Sequence, residues 1–439
     1  MAGRKRRRIS LGTTVMLVLT ALVLLGCVLF LWLLVGDNLY ERTEAFIRTL
    51  AQEGLLDDSA GFELAALSTA RDLQWIEPEE TPAPATAPPP TPTPVPKPIT
   101  ITISAAGTIY APKAVRESVQ EGNQFDFGPV FRGLGDTLAD ADLAIATLET
   151  TTAGKEKGFG NYNTAPEILD ALREIGVDLV ALGTERALDK GYEGLDLTVS
   201  ELTTRGLAFS GVSTDGGSPE KATMLRVGGV QVAVISASYG ISSEGGEKTK
   251  NDSRGALARL DMQALEREIT AARVNGANVV IVLPHWGTKN KTDTPVNVRR
   301  QARQMAEAGA DIILGTHPNV AQGTERLRVT RKDGLQYETA VCYSLGSLLT
   351  DARTKENTAG MVAHVDITYD PVTRRMTLGS MYCTPVYIAR ERRENAAIYR
   401  VVDPENAQAM QSLSEAEQKA AKEAAEIIRK ATLAQEGHG

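Results

Sequence analysis

The stretch PEILDALREIGVDLVALGTERALDKG, residues 166–191, decides the fold. Its first ten residues place apolar side chains at helical spacing, and VDLVALG at 177–183 follows as a short hydrophobic strand. The strand runs into the polar residues Thr184, Glu185 and Arg186. A helix that feeds a buried strand is the repeating unit of an α/β fold, and such folds gather their active groups in loops at the carboxyl ends of strands. The sequence therefore marks 184–186 as a candidate functional loop.

The same alternation of helix and strand continues along the chain. ITITISAAG, ADLAIATLE, ANVVIVLPHWG and ADIILGTHPN have the composition of buried strands, and amphipathic helices precede the later ones. This pattern predicts an α/β domain over residues 99–400 with largely buried sheets. Turn signals at 228–229 and 370–371 predict hairpins that add antiparallel strands. Residues 401–439 alternate in charge, which favours a solvated terminal helix and leaves a partner-binding helix as the alternative.

The N-terminus predicts a membrane anchor. Residues 11–36 carry no charge, and about 20 apolar residues suffice to cross a bilayer as a helix. The basic residues at 4–8 favour a cytoplasmic tail over 1–8, a transmembrane anchor over 9–36 and an extracellular remainder. The chain is thus expected to be a single-pass protein of the cell membrane. A cleaved signal peptide and a lipidated Cys27 are the two alternatives.

Two segments separate the predicted anchor from the domain. Residues 37–80 show helical spacing of apolar side chains and are expected to form a juxtamembrane stalk. Residues 81–98, TPAPATAPPPTPTPVPKP, are rich in proline, which lacks the amide donor and fixes φ. Such a tract is expected to be a semi-rigid linker that holds the domain away from the bilayer.

Composition excludes several classes of protein. The chain has 439 residues, of which 42% are hydrophobic, so a sizeable core is expected. The formal net charge is −8 although residues 4–8 contribute five positive charges, and this acidic body argues against nucleic-acid binding. Besides Cys27 the chain holds Cys342 and Cys383, and the sequence leaves open whether these two pair.

Polar residues stand at the predicted carboxyl ends of the strands, namely Thr108, Glu149, His285 and His317. Both histidines of the α/β pattern fall at such ends, whereas His364 lies in a hairpin and His438 in the tail. Strand ends of neighbouring parallel strands meet at one edge of a sheet, so these side chains are candidates for a common site. The alternative for each histidine is a hydrogen-bonded packing role.

Residues 99–385 resemble the CapA family, the poly-γ-glutamate capsule synthesis proteins of the metallophosphatase superfamily. The landmarks, in chain order, are FRGLGDTLADADLAIATLET, YNTAPEILDALREIGVDLVALG, ALDKG, LPHWG, ADIILGTHPNVAQG and CYSLGS. The resemblance implies a four-layered αββα sandwich with two metal ions at the strand ends. It also implies a role in the synthesis or anchoring of a capsule or cell-envelope polymer.

The metal-binding motifs of that family are changed in this chain. Thr108 stands where the family has a first-strand aspartate, and Thr184, Glu185 and Arg186 align with its Asn-Asn-His loop. An arginine stays protonated and accepts no metal. GTHPN keeps His317 but lacks the flanking imidazoles of the family motif. No cofactor is expected, and the alternative is one divalent ion, Mn²⁺ or Zn²⁺, at a residual site of Glu149, Glu185, His285 and His317.

These changes favour a binding or scaffold protein over an enzyme. The expected partners are the membrane, an anionic envelope polymer and membrane-bound capsule synthesis proteins, with Arg186, Trp286 and Asn319 as substrate-binding candidates. The alternatives are an ion pair of Arg186 with Glu185, Glu149 or Asp189, and a packing role for Trp286. The competing function is a phosphoesterase-like or polymer-processing hydrolase with a single metal, in which His285 and His317 are the catalytic candidates.

Overall fold

The computed structural model describes residues 96–242, 252–393 and 396–433. The chain divides into two units, Met1–Thr91 and Pro92–Gly439, and the described residues all belong to the second. The predicted tail, anchor and stalk, Cys27, His438 and most of the proline-rich linker lie outside the described residues. Within the described ranges no helix is long and apolar enough to cross a membrane.

The described residues form sixteen strands. In chain order they are β1 (Ile99–Ile109), β2 (Gln120–Glu121), β3 (Gln124–Phe125), β4 (Leu143–Leu148), β5 (Leu179–Ala181), β6 (Ala208–Ser210), β7 (Thr223–Val227), β8 (Val230–Ser238), β9 (Val279–His285), β10 (Ile312–Leu314), β11 (Thr324–Thr330), β12 (Gln336–Cys342), β13 (Ser347–Leu349), β14 (Ala359–Asp370), β15 (Arg375–Arg393) and β16 (Ala396–Val402).

The strands build two large mixed sheets. The first has the order β16-β15-β14-β1-β4-β5-β6 with β13 paired to β1, and the second has the order β11-β12-β10-β9-β8-β7. In the first, β1, β4, β5 and β6 run parallel, and in the second, β8, β9, β10 and β12 run parallel. The predicted hairpins β7–β8 and β14–β15 are present as antiparallel pairs. The predicted α/β class is confirmed.

Eight α-helices pack against the two sheets in the described part of the chain. Over the described residues they are α1 (Lys113–Ser118), α2 (Gly128–Phe131), α3 (Glu167–Glu174), α4 (Gly191–Thr204), α5 (Met262–Val274), α6 (Val296–Ala308), α7 (Ala407–Gln411) and α8 (Glu415–Leu433). Helices α1 to α4 share one apolar core with the first sheet, and α5 and α6 share another with the second. A third core lies between the sheets.

Alternation along each strand explains this layering. In β1 Ile101 and Ile103 point into the core between the sheets, where they join Val232 and Val234 of β8. The alternate residues Ala233 and Ile235 of β8 instead join the core under α5 and α6. Because both faces of these strands are covered, their sequences are almost continuously apolar, as is typical of buried parallel sheets.

The C-terminal segment differs from the prediction. Helix α8 buries Ala421, Ala424 and Ile428 in the core between the sheets, so the interpretation as a solvated helix is wrong for this face. Strand β16 also runs across residue 400, where the sequence placed a boundary. The described part of 401–433 therefore packs on the same core as the preceding strands. Cys342 and Cys383 are both free, the first buried and the second partly buried.

Candidate functional site

The candidate site lies where the carboxyl ends of strands from both sheets meet. Glu149 and the loop 184–186 follow β4 and β5 of the first sheet, while Tyr239 follows β8 and His285 ends β9 in the second. The Ser242 amide donates to the Glu185 carbonyl oxygen at 2.8 Å, and the Tyr239 amide donates to the His285 carbonyl oxygen at 3.0 Å. The first bond joins the segment after β8 to the 184–186 loop of the other sheet, and the second joins the ends of β8 and β9 within one sheet.

Gly183 allows the sheets to approach closely at this edge. A Cβ atom at Gly183 would lie 2.5 Å from the Ser236 Oγ atom and 2.6 Å from the Ala237 amide nitrogen, closer than real Cβ contacts. The Gly183 amide itself donates to Ser236 Oγ at 3.2 Å. Only glycine fits here, and it brings the 184–186 loop against β8.

Lys289 joins two carboxylates at the centre of the site. Its Nζ atom lies 2.7 Å from Glu185 Oε1 and 3.5 Å from Glu149 Oε1. The Tyr239 hydroxyl donates a hydrogen bond to Glu185 Oε2. Both glutamates are buried, whereas the Lys289 side chain is 36% exposed and Tyr239 is 47% exposed. We call Glu149, Glu185, Tyr239 and Lys289 the carboxylate cluster.

The charged groups of the carboxylate cluster have shifted pKa values. Burial raises the pKa of Glu149 to about 7, and the Lys289 charge offsets only part of this effect. Burial also acts to raise the pKa of Glu185, but hydrogen bonds from Lys289 and Tyr239 outweigh it and hold this pKa below its usual range. Burial acts to lower the pKa of Lys289, and the two carboxylates more than reverse that. Near pH 7 the cluster thus holds an ammonium group, an ionised Glu185 and a Glu149 that is only partly ionised.

Two histidines adjoin the carboxylate cluster. His285 Nδ1 lies 3.1 Å from Thr316 Oγ1, and its Nε2 lies 3.3 Å from His317 Nδ1. Burial lowers the pKa of both imidazoles, that of His317 to about 4, so both are neutral at pH 7. His317 has a φ of +96°, a conformation that residues other than glycine rarely adopt. Backbone strain of this kind is concentrated at functional sites.

Arg186 is held in buried ion pairs. Its Nε atom lies 3.4 Å from Glu185 Oε1 and its Nη1 atom lies 3.3 Å from Asp189 Oδ2. The guanidinium also donates to Ser242 Oγ and sits 3.5 Å above the centre of the Tyr162 ring. The charge of Arg186 is therefore compensated within the protein, which corresponds to the ion-pair alternative and not to a free cation in the cleft.

The other predicted substrate-binding residues have packing contacts. Trp286 is 1% exposed, and its Nε1 atom donates to the Tyr343 carbonyl oxygen at 2.9 Å. Asn319 has a φ of +58°, and its carbonyl oxygen accepts from Asn357 Nδ2 at 3.0 Å and from Ser347 Oγ at 3.3 Å. In this structure Trp286 is a core side chain, and Asn319 shapes a loop through its main chain.

The structure brings together the four residues that the sequence proposed as a residual metal site, Glu149, Glu185, His285 and His317. Tyr239 and Lys289, which complete the cluster, were not among the predicted site residues. A signal for Tyr239 was present, because it directly follows β8, a strand treated only as part of a hairpin although β8 also pairs in parallel with β9. Lys289 lies in a loop with other polar residues and has no comparable signal.

The residues present do not fit the two metal ions that the metallophosphatase resemblance implies. Glu149 Oε1 and Glu185 Oε1, which could bind a metal, face the Lys289 ammonium instead, and Glu185 Oε1 also faces the Arg186 guanidinium. The Thr108 hydroxyl, which replaces the expected carboxylate, is buried without a hydrogen-bond partner. Across the described ranges no three His, Cys, Asp or Glu side chains are grouped closely enough to hold a metal ion.

The profile of the bacterial capsule synthesis protein family PGA_cap matches residues 102–352, which is more than half of the chain. The protein belongs to this family. The matched region includes every residue of the carboxylate cluster and both site histidines. The predicted resemblance to the CapA family is therefore confirmed.

Two curated relatives have capsule-related names. The chain is 28% identical over 233 residues to the PGA biosynthesis protein CapA of Bacillus subtilis, a match that covers 52% of this chain and 57% of that protein. It is 26% identical over 266 residues to the capsule biosynthesis protein CapA of Bacillus anthracis, covering 57% of this chain and 61% of that one. The PGA_cap chain thus spans less than two thirds of the length of these relatives.

A solved structure with similar architecture is the calcineurin-like phosphoesterase YfkN from Bacillus subtilis. The alignment covers 76% of this chain and all of that chain, at 14% identity and a TM-score of 0.41.

Proposed function

We propose that this PGA_cap protein is a membrane-anchored extracellular component of capsule or cell-envelope polymer assembly, and that it binds a poly-γ-glutamate-type polymer without metal-dependent hydrolysis. The uncharged segment 11–36 behind five basic residues supports the anchor. Family membership and the printed name of the Bacillus subtilis relative support the polymer class.

The observation that carries the assignment to binding is the internal ion pairing of the site. A two-metal hydrolase stabilises both the attacking and the leaving oxygen with cations held by carboxylates and imidazoles. In this chain Lys289 and Arg186 already contact the carboxylates that would hold those cations. The two cations therefore compensate these carboxylates, which leaves no free carboxylate pair for two metals. The partly exposed Lys289 ammonium is the group of the cluster that can contact an anionic polymer.

The proposed contact surface is the solvent side of the carboxylate cluster. A lysine ammonium has three donors, and Lys289 directs two of them at Glu149 and Glu185 while its side chain stays partly exposed. The third donor is available to a polymer carboxylate. Tyr239, which is also partly exposed, provides an aromatic surface beside it.

Polymer binding is tested with the full-length protein, purified in detergent, on immobilised poly-γ-glutamate. We expect binding to the native protein that weakens with salt, because exposed charges are screened. Lys289→Ala should weaken binding about tenfold, since a hydrogen bond to a charged group is lost. Lys291→Ala, an exposed lysine of the same loop, is the matched control and should bind normally. Absence of native binding, with dextran as the uncharged comparison, would exclude this polymer as a partner.

The hydrolase alternative is tested on the same preparations. We expect no turnover of a generic phosphodiester or of poly-γ-glutamate after incubation with Mn²⁺ or Zn²⁺. Metal-dependent turnover that disappears in His285→Ala and His317→Ala would establish the single-metal enzyme instead.

The anchor is tested by fractionation of cells that express the full chain. We expect the protein in the membrane pellet after a carbonate wash, and accessible to protease added outside the cell. Release by the wash would contradict the anchor.

A further inference from the structure

Two buried carboxylates share a single amine in the carboxylate cluster. Lys289 Nζ reaches Glu185 Oε1 at 2.7 Å and Glu149 Oε1 at 3.5 Å, and both glutamate side chains are less than a tenth exposed. An ionised carboxylate in a protein interior needs a cation or a full set of hydrogen bonds. Lys289 is thus the counter-ion that both glutamates share.

Glu149 retains an acceptor that Lys289 does not use. Its side chain is 3% exposed, and its Oε2 atom has no hydrogen-bond partner. A buried oxygen of this kind normally contacts a donor or a cation. Because the other oxygen of the same carboxylate faces Lys289, the free acceptor belongs to the carboxylate cluster.

A neutral imidazole lies beside the carboxylate cluster. The His317 ring lies 4.5 Å from the ring of Tyr239, whose hydroxyl binds Glu185. Neutral imidazole and carboxylate oxygen are the ligands that Zn²⁺ and Mn²⁺ take in proteins. The donor types of a metal site are thus present near Lys289, but the ammonium group lies between the two carboxylates. Over the described residues no three such donors are close enough in the native structure to share an ion.

We propose that Lys289 is a tethered cation that takes the place of a divalent metal ion between Glu149 and Glu185, and that its removal opens a site for Mn²⁺ or Zn²⁺. This inference depends on the proposed function in one respect, that the native cluster works without a metal. The amine keeps the two carboxylates compensated permanently, whatever the metal supply. A metal ion entering the native cluster would meet both Lys289 and the Arg186 guanidinium, 3.4 Å from Glu185 Oε1.

The test compares full-length native protein with Lys289→Ala. Each is incubated with Mn²⁺ or Zn²⁺, freed of loose ions by desalting and analysed by elemental mass spectrometry. We expect about one equivalent of metal in the variant and no stoichiometric metal in the native protein. Metal should also raise the Tm of the variant by several degrees and leave the native Tm unchanged, because a ligand that binds only the folded state stabilises it.

Two further variants control for unspecific binding. Lys291→Ala should behave as native, because this lysine is exposed in the same loop. Combining Glu149→Gln with Lys289→Ala should remove the gained metal, because one carboxylate ligand is lost. If Lys289→Ala does not fold, Lys289→Gln replaces it, since the amide keeps hydrogen bonding without the charge.

Stoichiometric metal in the native protein, or none in either folded Lys289 variant, would overturn the proposal. Polymer binding is a separate readout. A native protein that ignores poly-γ-glutamate while Lys289→Ala gains a metal would refute the proposed function and leave the tethered cation intact, and the reverse pattern would refute only the tethered cation.

Discussion

Strand β10 has a buried charged group near each end, and the two groups differ in their ratio of carboxylates to cations. Before the strand, Asp311 is a single carboxylate between two arginines. Arg331 Nη2 donates to its Oδ1 atom at 3.0 Å, while the Val280 amide at 2.8 Å and the Arg273 guanidinium both donate to its Oδ2 atom. Each oxygen of Asp311 is therefore satisfied, and the group locks α5, β9, β10 and the turn after β11 together.

Beyond the strand, near His317, the ratio of charges is reversed. Two carboxylates share one lysine, and Glu149 Oε2 is left without a hydrogen-bond partner. The neighbouring His317 has an unusual backbone conformation, and Tyr239 and Lys289 are open to solvent. A saturated carboxylate stabilises a fold, whereas a carboxylate pair with an open acceptor and an exposed rim can hold a ligand.

Removing the saturated carboxylate should have the largest effect on stability. Asp311→Ala leaves Arg273 and Arg331 without their anion, and the loss of one partner from a buried pair costs about 3 kcal/mol even after allowing for the partial exposure of Arg273. Urea titration of the full-length protein measures this free energy of unfolding.

Lys332→Ala is the control for that measurement. Lys332 follows Arg331 but forms an exposed ion pair with Glu266, so we expect no resolvable change in stability. A loss below about 1 kcal/mol for Asp311→Ala would mean that the Asp311 group is not the structural lock that its geometry indicates.

The sequence was sufficient for the fold because the fold depends on local periodicity. Apolar runs of strand length, helices between them and Gly228-Gly229 at a turn are all visible in one window of sequence. Carboxyl ends of neighbouring parallel strands meet at one edge of a sheet. The position of polar residues at predicted strand ends was therefore enough to identify Glu149, Glu185, His285 and His317. The prediction of a fully solvated helix α8 was wrong because the alternating charges of the sequence obscure a narrow buried face, formed mostly by small residues.

The pairing within the site could not be predicted in the same way. Lys289 is separated from Glu149 by 140 residues and from Glu185 by 104, so no local pattern connects them. The Asp311 group has the same property, with its arginines 38 and 20 residues away. Which carboxylate meets which cation depends on how the two sheets stack.

The next largest effect should be the pH dependence contributed by Glu149. Burial raises its folded pKa from an ordinary 4.5 to about 7. The folded state therefore holds this proton more tightly than the unfolded chain, and stability present at low pH is lost as pH rises towards 7. Glu149→Gln removes this titration, so between pH 5 and pH 8 its stability should improve relative to native by about 2–3 kcal/mol.

Urea titrations of native and Glu149→Gln protein at pH 5 and pH 8 measure that difference. Because each comparison is made at one pH, contributions from groups that the substitution does not affect cancel. If the stability difference between native and Glu149→Gln protein is the same at both pH values, the charge of Glu149 is as fully compensated as that of Asp311. The Asp311 group and the carboxylate cluster would then not differ in charge compensation.

The smallest effect concerns the histidines beside the carboxylate cluster. Thr316→Val keeps the shape of the side chain but removes the hydroxyl that lies 3.1 Å from His285 Nδ1. A buried ring nitrogen without its partner should cost about 1 kcal/mol, while Thr316→Ser, which retains the hydroxyl, should cost less. If valine costs nothing, Thr316 does not hold the His285 ring. The contact of His285 Nε2 with His317 at 3.3 Å would then be the interaction that orients this ring towards the cluster.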